Sequence, residues 1–421
     1  MIRWGRCGQF MQRVIVIGGG ASGMAAAISA AECGDHVLLV EKSPRLGRKV
    51  AASGNGRCNL MNAGANRYYG DADFAAAVLE HCSRTDLIRF WRRYGLLLTE
   101  ESEGRIYPNA MKSDAVLQAL KSGLHKHLVD IHLQESVLHV QPRASGFRIR
   151  TDQSAYEAER VIVATGGLAQ QKLGGSGDGY QFLTRLGHEL IPPQPALVPL
   201  RTDPKSVAGL AGIRVRAGVR LLLDDRLLHQ ESGEVLFTET GVSGICIMQC
   251  GRFIQPGCVL ELDFTPQRIY PDPSDFDQVW RHRLNCFQEE SPLDLLNGIV
   301  LPKLSFAICK QAGIPLRGET VSQLTPDQIS RIRYSFEHYC LQVTGSCGFD
   351  QAQVTAGGIL CRGFASDTLR SLDIPGLHAV GEVLNVDGDC GGFNLMFAFA
   401  SGILAGRNGR IVEEKGRDLQ S

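Results

Sequence analysis

Apolar and polar positions along this chain fall into two periods, and the first switch between them comes early. The apolar run Val14-Ile15-Val16-Ile17 passes into Gly18-Gly19-Gly20-Ala21-Ser22-Gly23 and then into an alanine-rich stretch from Met24 to Ala31. A short continuous apolar run reads as a buried strand, and the alanines read as a helix, with the glycines as the tight turn between them. A second apolar run, His36 to Val40, supplies the next strand. Apolar residues at three- and four-residue spacing predict helices over Asp73 to Cys82, Arg84 to Tyr94 and Ser113 to His127. Ile131 to Tyr156 reads as β structure, and Glu159 to Val163 as a buried strand that stops on Ala164-Thr165-Gly166-Gly167. The loop Gly174 to Gly179 then leads into a helix from Tyr180 to Leu186.

At Ile191-Pro192-Pro193-Gln194-Pro195 the composition shifts. Leu197 to Asp263 alternates like strands joined by turns, whereas Pro266 to Tyr339 looks helical and is punctuated by Pro292, Pro302, Pro315 and Pro326. After Gln342 the β pattern returns through Val354 to Ile359 and Gly376 to Glu382, and a last helix starts near Gly392. With 421 residues the chain exceeds a single core. The expected division is a disordered extension over 1–12, an α/β domain made of 13–192 and 354–421, an inserted β-rich domain of 193–265 and 340–353, and a helical cap over 266–339.

The glycine turn carries chemistry. Between a strand and a helix, Gly-x-Gly-x-x-Gly is the dinucleotide-binding fingerprint: the glycines admit a pyrophosphate, and the amides at the positive helix end stabilise its charge. A side chain at Gly18 or Gly20 is expected to block that approach. Glu41 closes the second strand 21 residues after Gly20, matching the offset of about 20 expected for a ribose-binding acid. A carboxylate there repels a 2′-phosphate, so the site favours FAD or NAD over NADP. The stretch Gly47 to Asn59 that follows is polar and glycine-dense, and it reads as a functional loop rather than a core element.

FAD is too long for one such turn and needs a second patch late in the chain. Gly381-Glu382 sits where that patch is required, and the segment Asp387 to Leu395 puts a helix N-terminus beside it. The positive helix end would favour negative charge on the pyrimidine edge of a reduced flavin.

Six ordered motifs resemble one family, the FAD flavoproteins that include bile-acid 3-oxo-Δ4,6 reductases and aminoacetone oxidases. They are Gly18 to Gly23, Leu46 to Asn59, Ala164 to Gly167, Phe237 to Gly244, Thr355 to Gly358, and Gly381 to Gly388 with Gly391 to Leu395. The resemblance spans nearly the whole chain and implies a Rossmann-like FAD-binding domain of the GR2 type, interrupted by a β-barrel-like domain with a helical cap. It further implies that FAD is lined by Gly18, Gly20, Ala21, Ser22, Gly23, Glu41, Lys42, Arg48, Lys49, Ser53, Gly54, Asn55, Gly56, Arg57, Cys58 and Asn59. From later in the chain it adds Val137, Ala164, Thr165, Gly166, Gly381, Glu382, Asp387, Gly392, Phe393, Asn394 and Leu395. This chain departs from the family pattern at Asn385, where Asp is usual, at Phe393, where Tyr is frequent, and at Met396-Phe397, where Gln-Trp is common.

Composition narrows the partners. The 44 basic and 44 acidic residues cancel, which argues against nucleic acid or a membrane surface and for a small-molecule substrate. No apolar run reaches the ~20 residues that span a bilayer. The 13 cysteines include no Cys-x-x-Cys pair, so no metal site is signalled, and their odd number without a secretory leader suits reduced thiols in a cytoplasm. Cys58 has no partner before Cys82, which excludes a disulfide-reductase arrangement. As a lone thiol it is expected to pack in the flavin region.

The resemblance implies an FAD-dependent reductase of enones or dienones, steroidal or bile-acid 3-oxo compounds among them, with NADH or NADPH visiting transiently because no second nicotinamide fingerprint exists. Proton donors are sought in the segment Gly104 to Asp114, where Tyr107 or Lys112 could donate and Arg105 could polarise a carbonyl. The alternatives are an amine oxidase of the aminoacetone type that releases peroxide, and a flavin-loaded redox sensor or RNA-linked module without catalysis. Oligomeric state is left open by the sequence.

Overall fold

A computed structural model describes residues 12–266, 272–315 and 318–410. The extension expected over 1–12 therefore lies outside the described residues except for Gln12, whose amide donates to Asp35 Oδ1 at 3.3 Å. The chain divides into two compact units, residues 1–194 with 354–421 and residues 195–353.

The first unit is built on a parallel five-stranded sheet. In chain order its labelled elements are β1 (Arg13–Ile17), α1 (Ala21–Glu32), β2 (His36–Glu41), α2 (Arg48–Ala52), β3 (Asp130–Leu133), β4 (Arg160–Val163), α3 (Asp178–Arg185), β5 (Leu377–Ala379) and α4 (Phe393–Arg407). The sheet order is β5-β4-β1-β2-β3, all parallel. Val14 to Ile17 and Val161 to Val163 are buried, as the inner strands of a parallel sheet covered on both faces must be.

α1 is buried along most of its length because α4 lies against it at backbone distance. A Cβ on Gly402 would overlap the carbonyl oxygen of Ser22, and one on Gly406 would overlap that of Ala26. The four-residue spacing of these glycines puts both on one face of α4. Below this contact Arg160, 2% exposed, donates to Asp35 Oδ2 at 2.7 Å and to the carbonyls of Ala405 and Gly406 at 3.3 and 3.2 Å. Arg410 grips the same carboxylate. A buried ion pair is tolerated when most of its remaining hydrogen-bonding positions are filled, and here α4's last carbonyls take Nη1 and Nη2 while Nε stays buried without a partner.

Several segments differ from the sequence reading. The loop expected over Gly47 to Asn59 contains α2, started by Gly47 in the left-handed region at φ 69°. Arg, Lys, Val and two alanines suffice for a helical turn once the ends are held. The proline-rich Ile191 to Pro195 lies inside a strand, Leu190–Ala196, that belongs to a two-stranded sheet, where prolines are tolerated because edge N–H groups need no partner.

The second unit holds a closed six-stranded barrel formed by Leu200–Thr202, Gly241–Ser243, Arg226–Thr238, Arg214–Leu223, Val259–Asp263 and Tyr339–Ser346 in neighbour order. A short helix, Ile245–Cys250, interrupts the expected run of strands. Helices Pro273–Cys286, Pro302–Gln311 and Pro326–Glu337 cover the barrel core, with Phe276 stacked on Phe336 at 5.7 Å and Phe264 6.1 Å from the same ring. Pro302 and Pro326 start helices rather than interrupt them, since the N–H of a first-turn residue makes no intrahelical hydrogen bond that proline could remove. Among the described residues no helix is long and apolar enough to cross a membrane, and no cluster of three His, Cys, Asp or Glu side chains is placed to hold a metal ion. The twelve described cysteines are free thiols.

His378, on β5, is fully buried and faces the Arg160 charge. Its Nδ1 lies 2.9 Å from Thr368 O, so Nδ1 carries the proton, and Nε2 is buried without a partner. Burial pushes its pKa down to about 3. The unfolded chain binds this proton below the ordinary value of 6.5 and the folded one does not, so stability should fall as pH drops from about 6.5 towards 3, by at most about 1.4 kcal/mol per pH unit. In urea titrations at several pH values, His378→Asn should flatten that slope; an unchanged slope would place the acid sensitivity elsewhere.

Candidate functional site

The fingerprint turn divides its glycines between packing and access. Gly18, at φ 109°, faces the end of β4: a Cβ there would stand 2.5 Å from Ala164 O. A Cβ on Gly23 would overlap the carbonyl oxygen of Gly18 itself. Both are therefore needed for the turn and for helix–strand packing. Gly20 differs, because a Cβ there meets nothing within 4 Å. The expectation that side chains at Gly18 and Gly20 would block the same approach is corrected: Gly18 is constrained by the protein's own backbone, and only Gly20 opens onto free space.

Gly20 is also the N-cap of α1, with no side-chain cap, and the first turn of the helix has no acidic residue. The first amides of a helix have no partners within it. At this end they lack a side-chain acceptor and stand beside an open cradle, which suits a pyrophosphate. Ala21 and Ser22 open the helix, and a Cβ on Gly381 would stand 2.6 Å from Ser22 Oγ.

Glu41 closes β2 with both oxygens engaged. Oε2 accepts from Gly19 N and Oε1 from Ser43 N, each at 2.7 Å. The carboxylate is thus fixed beside the turn and keeps further lone pairs for a diol. Val137, half-buried at the head of the strand Val137–Arg143, is tied to the same corner, since Gln134 N and Glu135 N donate to Ser43 O and Glu41 O. Lys42 pairs with Asp178 at 3.1 Å, and Arg48 donates to Lys172 O at 2.6 Å.

Lys49 reaches across to the late patch and pairs with Glu382 Oε2 at 2.7 Å over 333 residues of chain. Glu382 Oε1 accepts from Thr355 N at 2.9 Å. A Cβ on Gly166 would lie 4.0 Å from Glu382 Oε2, so Ala164-Thr165-Gly166 joins the same group. Thr165 Oγ1 is buried without a partner. Among the described residues this is one of the few orphaned side-chain oxygens, and it stands at the end of β4 beside the fingerprint.

Ser53–Gly56 follows as a single turn in which Gly54, Asn55 and Gly56 have φ of 55°, 54° and 78°. Successive left-handed residues turn their amides to one side, an arrangement that accepts anions or carbonyl oxygens. Ser53 Oγ closes the turn on Val50 O at 2.8 Å. Arg57 lies 4.8 Å over the Tyr107 ring and 3.5 Å from Glu101. Cys58 is fully buried, and burial pushes its thiol up to about 11, so it is neutral and packed rather than nucleophilic.

The first loop and the last helix also meet. Asn62 Nδ2 donates to Gly391 O at 2.8 Å, and Tyr68 OH to Phe393 O at 2.9 Å. A Cβ on Gly392 would stand 2.7 Å from Asn59 Oδ1, which is buried and unpartnered. Asp387 is 2% exposed on the short strand Val386–Gly388 paired with Tyr68–Gly70. Phe393 is 4% exposed and Leu395 half-buried. The Asn394 side-chain amide holds the loop before α4: Oδ1 accepts from Gly388 N at 2.8 Å and Nδ2 donates to Gly388 O at 2.7 Å.

The sought proton donors lie on the strand Arg105–Pro108 and the turn beyond it. Tyr107 is 4% exposed beneath Arg57, Arg105 is held by Glu103, and Lys112 is exposed at the N-cap of the helix Ser113–Lys126. Thr355, Asn62 and Asp178 hold the site together and were not singled out as site residues in the sequence. No periodicity marks them, because their partners are distant in the chain.

A model of the HI0933-like protein Rossmann domain matches residues 12–408. The chain belongs to this family. It is 36% identical to the 3-dehydro-bile acid delta(4,6)-reductase of Clostridium scindens over 94% of this chain and 98% of that one. It is 28% identical to the ribosomal RNA dihydrouridine synthase of Escherichia coli over 92% and 95%. Among solved structures, the open conformation of a flavocytochrome c3 fumarate reductase matches with a TM-score of 0.50 at 16% identity, over 94% of this chain and 78% of that one, a likeness of fold. The Rossmann-like domain interrupted by a barrel and helices, expected from the sequence, is the architecture of this chain.

The glycines give a direct test. Gly20 has φ −82°, which any residue adopts, so Gly20→Ala should keep the thermal stability of the parent and lose dinucleotide uptake about tenfold or more. Gly18→Ala should fail at folding instead. Equal dinucleotide uptake by Gly20→Ala and the parent, followed by titration calorimetry, would show that the cradle is not the pyrophosphate site.

Proposed function

We propose that this chain is an FAD-dependent oxidoreductase that reduces a carbon–carbon double bond conjugated with a carbonyl, using NADH or NADPH as a transient electron donor. The observation that carries the reading is the 36% identity to the delta(4,6)-reductase along almost the full length of both chains. The residues present fit the cofactor: Gly20 and the uncapped start of α1 suit the pyrophosphate, Glu41 suits a ribose diol, and the Lys49–Glu382 pair ties the early loop to the late patch. When bound, the flavin supplies the hydride.

The protein's own part is to bind, orient and protonate. The left-handed turn Ser53–Gly56 and the uncapped start of α4 at Gly392 present amides towards developing negative charge. Hydride addition to an enone leaves an enolate that needs one proton, and Tyr107, with Lys112 or Arg105 as alternatives, is proposed to supply it or to polarise the carbonyl.

A second reading has its own observation. The ribosomal RNA dihydrouridine synthases of Haemophilus influenzae and Escherichia coli are 27% and 28% identical over nearly their whole lengths. Uracil carries a carbon–carbon double bond conjugated with a carbonyl, so the same chemistry would serve, on a nucleobase instead of a steroid. Dihydrouridine counts by mass spectrometry in ribosomal RNA from cells with and without the protein separate the two substrates. The amine-oxidase alternative is separated by peroxide release with aminoacetone in air.

For the reductase, anaerobic NADH or NADPH should bleach the yellow of the FAD-loaded protein, and a 3-oxo-Δ4,6 steroid should restore it. If neither nucleotide bleaches it, the reductase reading fails. In the same stopped-flow cell, Tyr107→Phe should leave bleaching unchanged and slow the recovery of colour by about 10²-fold, the lower end for loss of a general acid. Recovery at the parent rate would remove Tyr107 from the reaction.

A further inference from the structure

The segment between β4 and α3 crosses the mouth of the fingerprint. β4 and β2 flank β1 on either side, and the Gly18–Gly23 turn rises from the carboxyl end of β1. The chain leaves β4 at Val163, yet its loop is fastened to residues that follow β2. Lys172 O accepts from Arg48, Asp178 pairs with Lys42, and a Cβ on Gly174 would lie 3.4 Å from Ser43 Oγ. To get there it must span two strand spacings, about 10 Å, over the carboxyl end of the strand between them.

Its fastening is light. Ala169 at one end is fully buried and donates to Thr355 Oγ1 at 3.0 Å, and Tyr180 at the other is 4% exposed. None of residues 170–178 is buried. The Lys42 and Asp178 side chains are 34% and 46% exposed. Gln170 and Gly174, at φ 57° and 105°, bracket the single turn Gln171–Leu173 and give the segment its bends. A stretch without buried side chains between two buried anchors opens at low free-energy cost.

We propose that residues 170–178 form a strap over the nucleotide half of the bound dinucleotide, latched by the Lys42–Asp178 ion pair, and that opening of this latch limits cofactor entry and release. The inference rests on the FAD reading above. Lys42 and Asp178 then act as positioning residues that hold the strap and act on the cofactor only through it.

The test follows FAD release from the holoprotein by the recovery of flavin fluorescence after dilution, across a range of salt. Asp178→Asn should release FAD about two- to fivefold faster at low salt, the range set by an exposed ion pair. Salt should speed release from the parent and change the variant little. Lys42→Gln should act similarly, and Lys42→Gln with Asp178→Asn should be no faster than either alone. Trypsin cleavage after the exposed Lys172 is a second readout, expected to be slow in the parent holoprotein and faster in Asp178→Asn. Equal release rates and equal cleavage in parent and variants would overturn the strap while leaving FAD binding intact. Additive effects in the double variant would overturn the latch and make Lys42 a direct ligand. Failure of the parent to take up FAD at all would overturn both the strap and the reading beneath it.

Discussion

The backbone-to-backbone contact between α1 and α4 is the constraint on which the site depends. Gly402 and Gly406 let the last helix lie against Ser22 and Ala26 with no side chain between. Any larger residue would push the helices apart, since packed interiors have no slack to absorb a Cβ. Because α4 is fixed there, Gly381 sits against Ser22, Glu382 comes within reach of Lys49, and Gly391 within reach of Asn62. Two parts of the chain separated by more than three hundred residues thereby form one polar surface around the fingerprint turn.

This surface is rigid where it must be and incomplete where a ligand would complete it. Glu41 is held by two amides, Asn394 locks its own loop, and Cys58 is packed as a neutral thiol. In contrast, the start of α1 lacks a cap, Gly20 faces open space, and Thr165 Oγ1 and Asn59 Oδ1 are buried without partners. Buried polar atoms are costly when unpaired, and Thr165 Oγ1 stands at the end of β4 while Asn59 Oδ1 stands against Gly392. The reduction proposed for this chain makes few demands beyond this: a flavin held in place and a donor for one proton.

Much of the α/β unit was legible because its signals are local. Buried parallel strands leave continuous apolar runs, as at Val14 to Ile17, and the fingerprint needs its glycines in sequence. The helices Asp73 to Cys82 and Ser113 to His127 were visible from their apolar spacing, and their observed ends differ by a residue. The helix α2 was hidden, since five residues carry too little periodicity and its start depends on Gly47 being held in the left-handed region. The Leu190–Ala196 strand was hidden by its prolines, which only an edge position excuses.

By itself the sequence determined the dinucleotide fingerprint, the acid at Glu41, the order of the elements and the family, because each is written in residues close together or in motifs kept in order. The tertiary structure decided which glycines serve packing and which serve access, that Asn394 holds the loop before α4 and Tyr107 lies beneath Arg57, and that Asp178 and Thr355 belong to the site. Those assignments depend on what lies across a gap from each residue, and the chain places these neighbours only when it folds.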